Sequence, residues 1–111
     1  MSEEIVLSAS EEQAFQLSRA AILLDQAKVE RAKLTEALET NLAVWVALRA
    51  MVTSDGCQAS PQVVENLVRL SNFVADKTLA GAEVVTDTAI DALINVNLQI
   101  SEGLLEGAKQ R

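Results

Sequence analysis

Apolar residues recur along this chain at helical spacing and nowhere in a sustained strict alternation, so the pattern predicts helices and no strands. From Met1 to Asp55 there is neither glycine nor proline. Ser8 with Glu11, or Ser10 with Gln13, supplies capping-box spacing at the start of a helical segment. Unbroken to Val52, that segment runs roughly 60 Å at about 1.5 Å per residue. It is therefore expected either to project as an arm or to break near Thr40-Asn41, where two weak helix formers adjoin. Residues 53–60, polar and containing Gly56, read as a loop. Pro61 behind Ser60 opens a second helix, with Val64, Leu67, Val68, Ser71, Val74 and Ala75 at helical spacing and Gly81 as its stop. A third helix begins near Thr86 or Thr88 and runs to about Gly107. The expected class is all-α: a small bundle of about three helices, the first long or broken. It forms a single domain over residues 1–111 with a flexible N-terminus at 1–9.

The last helix carries more apolar surface than one contact needs. Ala89, Ala92, Leu93, Val96, Ile100 and Leu104 form one stripe, and Ile90, Ile94, Leu98 and Leu105 form a second beside it. Asp91, Asn95, Gln99, Glu102 and Glu106 are left as a narrow wet side, although a one-sided surface helix needs an apolar arc of only about 100°. Either this helix lies between the other two, or one of the two stripes receives a partner helix. The first segment repeats the pattern, with Phe15, Ile22 and Val29 seven apart and Leu17 and Leu24 on another face. Trp45 shares a face with Leu38, Leu42 and Val52, and reads as core or as an interface anchor.

Composition narrows the function classes. Seventeen alanines, fifteen leucines, twelve valines and five isoleucines make an aliphatic, helix-compatible interior. Phe15, Trp45 and Phe73 are the only aromatics and the net charge is −7, which argues against direct nucleic-acid binding. No apolar run approaches the roughly 20 residues of a membrane span. The acidic start, Met1-Ser2-Glu3-Glu4, does not read as a signal peptide, and the single cysteine, Cys57, has no partner within the chain; both fit the cytoplasm.

Enzymatic chemistry has little to work with. Histidine is absent, the four glycines form no phosphate loop, and Cys57 sits beside Asp55, whose charge disfavours a thiolate. The carboxylate pairs Glu36 with Glu39, Asp87 with Asp91, and Glu102 with Glu106 read as solvated faces, not as metal or catalytic sites. Lys28, Arg31 and Lys33 form a basic cluster that Glu30 interrupts, which favours a helix surface over an RNA site. No catalytic residue, metal ligand or cofactor is expected.

Four motifs in order carry a resemblance. Asn41-x-x-x-Trp45-x-x-Leu48 is followed by Ser60-Pro61 opening a helix with Asn66-Leu67 and Phe73-Val74. Thr78-x-x-Gly81 and then Leu93-Ile94-x-Val96-Asn97-x-x-Ile100-x-x-Gly103-Leu104 complete the set. Together, from about Leu34 to Leu105, they resemble the FlaF family of flagellar biosynthesis regulators in alphaproteobacteria. Leu98 stands where members often carry an arginine. The resemblance implies a small cytoplasmic helical protein that acts with flagellin, helps its synthesis and export, and opposes or cooperates with the companion regulator FlbT. It marks Asn41, Trp45, Leu48, Pro61, Asn97, Gly103 and Leu104 as family positions. The residue pattern adds Trp45, Ile90, Ile94, Leu98 and Leu105 as candidates for contact with a partner helix. A self-associating structural protein is the alternative, its surplus stripes pairing between copies.

Overall fold

A computed structural model of the chain describes residues 9–54 and 59–109. Among them are four long helices and no strand, one helix more than the hydrophobic pattern predicts. They are α1 (Ala9–Val29), α2 (Leu34–Thr53), α3 (Pro61–Leu79) and α4 (Asp87–Lys109), with a short 3-10 turn, Arg31–Lys33, between the first two. The expected N-terminal tail lies outside the described residues except for Ala9, which is already helical, and Gly56 and Cys57 of the expected loop lie outside them too.

The extra helix arises because the first segment breaks near Glu30 and not at Thr40-Asn41. Glu30 leaves helical geometry, and the turn closes through Lys33 N–H donating to Glu30 O at 2.9 Å. The segment neither projects as an arm nor stays straight, because Asn97 reaches both Leu17 and Asn41 with one side chain, which folds α2 back along α1. Asn41, a weak helix former, is fully buried in mid-helix with its side-chain oxygen accepting from Asn97, and a propensity deficit of well under about 1 kcal/mol is too small to break the helix there. The turn is fastened to the start of α4: Arg31 donates to Val85 O at 3.2 Å and pairs with Asp87, and Lys28 Nζ donates to Asp91 at 2.6 Å. The hydrogen bond to Asp91, helped by the charges of Asp91, Asp25 and Asp87, holds Lys28 above its ordinary pKa. The stability that comes from the raised lysine is present at neutral pH and is lost as pH rises through the raised value. Lys28 and Arg31 of the basic cluster thus brace α1 and the turn against α4, while Lys33 pairs with Glu30 inside the turn.

The other boundaries follow the expected chemistry. Ser60 accepts from Val63 N–H at 3.2 Å with Pro61 in the first turn, Gly81 adopts φ +94°, and Thr86 caps α4 by accepting from Ala89 N–H at 3.1 Å. α4 packs most extensively on α1, α1 also on α2, and α3 lies on α2 while barely touching α4. Arg49 ties α2 to α3 through Asn72 at 3.0 Å. The core joins Leu17, Leu24, Leu38, Trp45, Leu48, Ile90 and Leu93 with five buried alanines from α1 and α2. Between α3 and α4 an apolar cleft of about 280 Å³ remains, lined by Val63, Leu67, Ile100 and Leu104.

Ser60→Ala removes the α3 cap and is expected to lower stability by about 1 kcal/mol in urea unfolding. An unchanged midpoint and slope would show that the cap contributes nothing.

Candidate functional site

Two features stand on the α1–α4 pair, one inside and one outside. Inside, Asn97 is fully buried and uses its whole carboxamide: its oxygen accepts from the Trp45 indole at 2.8 Å, and its nitrogen donates to Leu17 O at 3.1 Å and to Asn41 Oδ1 at 2.6 Å. One turn on, Ser101 Oγ donates to Ala14 O at 2.9 Å and lies 2.9 Å from Ser18 Oγ. A hydroxyl has one proton, so Ser18 is then the donor to Ser101. These bonds, with Lys28–Asp91, pair rising numbers on α1 with falling numbers on α4, so the two helices are antiparallel. Asn41 Nδ2 and Gln13 Oε1 are buried without a partner, one donor and one acceptor.

Four of the seven family positions lie in this interior and a fifth borders it. Asn41, Trp45, Leu48 and Asn97 are buried, and Leu104 is partly buried against the core. Pro61 sits in the first turn of α3, where the missing N–H costs no hydrogen bond. Gly103 is exposed on α4 beside the α3–α4 cleft.

The candidate contact residues separate. Ile90 is fully buried and cannot meet a partner on the folded chain: it lies on the same α4 face as Leu93 and Asn97, which α1 and α2 cover. Trp45 is buried too, its indole satisfied by Asn97, which makes it core and not an interface anchor. Ile94 is half-buried against the core, whereas Leu98 and Leu105 are exposed.

Outside, two apolar rows border the seam between α1 and α4. Leu98 and Leu105 follow Asp91 at intervals of seven, and Asp91 reaches across to Lys28 of α1, so this row borders the seam. On α1, Phe15 and Ile22 lie three and four residues from Ser18, whose hydroxyl meets Ser101, so the row continuing to Val29 borders it from the other side. Phe15 is 58% exposed, Ile22 59%, Val29 86%, Leu98 46% and Leu105 41%, values of surface residues and not of a core. Sequence reading placed Phe15, Ile22 and Val29 on one face without naming them as contact residues; their seven-residue spacing was the available signal. Glu12, Asp25, Glu102 and Glu106 are exposed on the same two helices, with Arg19 between Phe15 and Ile22.

Of the carboxylate pairs, Asp87 and Asp91 are engaged with Arg31 and Lys28, and Glu36, Glu39, Glu102 and Glu106 are exposed. Among the described residues no group of three or more His, Cys, Asp or Glu side chains is placed to hold a metal ion, and no helix is long and apolar enough to cross a membrane.

Residues 2–104 match the family model described as Flagellar protein FlaF, which extends the likeness from the four motifs to the start of the chain. No curated protein and no solved structure matches.

Asn97→Ala leaves two buried groups, the Trp45 indole N–H and Asn41 Oδ1, without a partner, while Leu17 O keeps its helical hydrogen bond, and is expected to cost about 2 to 5 kcal/mol in urea unfolding, at about 1 to 3 kcal/mol per orphaned group with partial relaxation. Trp45→Ala is expected to cost a similar amount, about 3 to 5 kcal/mol. The two losses should fall short of additive in the double variant by at least about 0.5 kcal/mol. Full additivity would mean that the indole and the carboxamide are not coupled.

Proposed function

The chain belongs to the FlaF family of flagellar proteins, and on that premise we propose that it is a flagellin-directed chaperone or regulator that binds through apolar helix faces and promotes flagellin synthesis and export. One observation carries the reading: five large apolar side chains, in two rows with seven-residue spacing, face water along the α1–α4 seam. An unpolymerised flagellin with amphipathic terminal helices needs cover for their apolar faces, and a row of this kind offers it. The net charge of −7 keeps the chaperone itself soluble while the row is vacant. In this reading it acts in the cytoplasm, by binding and not by chemistry, and FlbT is a second candidate partner.

Titration with monomeric flagellin tests the reading. Binding at micromolar concentration is expected, weakened at least about tenfold by Leu98→Asp, a loss of about 1.4 kcal/mol. Because Leu98 is exposed, circular dichroism of that variant should match the parent. No binding by the folded parent protein would defeat the reading. Self-association through the same rows is the competing account, and it predicts a folded dimer, with no folded monomer at low concentration, in sedimentation.

A further inference from the structure

We propose that the α1–α4 seam is the seat of a third helix, an amphipathic one whose apolar stripe also repeats every seven residues and whose flanks are basic. The proposal rests on the reading above for the identity of the natural partner and goes beyond it in naming the seat and the chemistry it selects.

Two antiparallel helices that each leave a seven-residue apolar row beside their seam form the two walls of a shallow trough. Knobs-into-holes packing of a third helix fits such rows, because a seven-residue repeat keeps facing a partner that crosses at about +20°. The register set by Ser101 opposite Ala14, Asn97 opposite Leu17 and Asp91 opposite Lys28 staggers the rows. Leu105, Phe15, Leu98, Ile22 and Val29 then succeed one another along the trough, alternating in part between its walls. Phe15 to Val29 spans roughly 21 Å at about 1.5 Å per residue, so the occupant is a helix of about four turns.

Charge decides what occupies it. Glu12, Asp25, Glu102 and Glu106 are exposed on the flanking helix surfaces, while Lys28, Arg31 and Lys33 are paired with Asp91, Asp87 and Glu30, which leaves Arg19 as a further positive charge beside the rows. A second copy of the chain brings the same acidic flanks and a net charge of −7, so like charges oppose self-pairing. Anionic lipid and nucleic acid are disfavoured for the same reason. A protein helix with Lys or Arg beside its apolar stripe satisfies both the trough and its rim.

Isothermal titration tests this with three probes: monomeric flagellin, a synthetic four-turn peptide with leucines at seven-residue spacing and lysine flanks, and its glutamate-flanked counterpart. The lysine peptide is expected to bind at least about tenfold tighter than the glutamate peptide at low salt, with the gap narrowing as salt screens the rim. Ile22→Asp and Val29→Lys should each weaken the lysine peptide and flagellin, whereas Val63→Asp, in the α3–α4 cleft, should weaken neither. Both seam positions are exposed, so folding is expected to survive, and thermal unfolding of each variant verifies it. Equal affinity for the two peptides, or no binding of either, overturns the proposal. Flagellin binding that persists in both seam variants also overturns it while leaving the flagellin reading intact. Seam-dependent binding of the lysine peptide without flagellin binding upholds the seat and removes flagellin as its occupant.

Discussion

The packing of this bundle depends on the Asn97 carboxamide, which joins three helices at one buried point. It takes the Trp45 indole and the Asn41 amide oxygen from α2 and a backbone carbonyl from α1, so a slip of any of the three helices orphans polar groups in an apolar interior. Aliphatic contacts alone are non-directional and would tolerate several registers. Ser101 adds a second fixed point one turn away, at Ala14 O and Ser18. Together they set which face of α1 and which face of α4 turn inward.

That choice of face determines the surface. α1 buries Ala14, Ala20, Ala21 and Ala27 with Leu17 and Leu24, and leaves the larger Phe15, Ile22 and Val29 outside. Small inward residues let α1 lie close to its neighbours, close enough for side-chain hydrogen bonds to reach backbone carbonyls across the interface. The same arrangement leaves large apolar groups without an internal partner. In a chain of 111 residues with a modest core, that surplus is the observation on which the proposed binding by helix contact rests.

The fold was legible where local chemistry marks it. Ser60-Pro61, Gly81 and Thr86 each announce a helix end by a side chain or backbone requirement that acts over a few residues, and the structure places ends there. The turn at Glu30 was not legible, since neither glycine nor proline stands near it and its fastening, Arg31 to Val85 and Asp87, joins residues more than fifty positions apart. Trp45 was readable as core from its neighbours, but the partner of its N–H was not. The exposed rows were half legible. The pattern groups Leu98 and Leu105 with Ile90 in one stripe, though Ile90 lies closer to the inward face. Size also misleads on α1, where hydrophobic patterning favours Phe15 over alanine as a core residue and the close packing reverses that preference.

Solvent paramagnetic relaxation of methyl groups in the free chain and with monomeric flagellin tests the central claim most directly, because it reads each side chain's access to water. The account predicts strong broadening of Ile22, Val29, Leu98 and Leu105 methyls in the free monomer, little for Leu17, Leu24, Ile90 and Leu93, and loss of that broadening when flagellin binds. Seam methyls shielded in the free monomer, or still fully accessible in the complex, would contradict it.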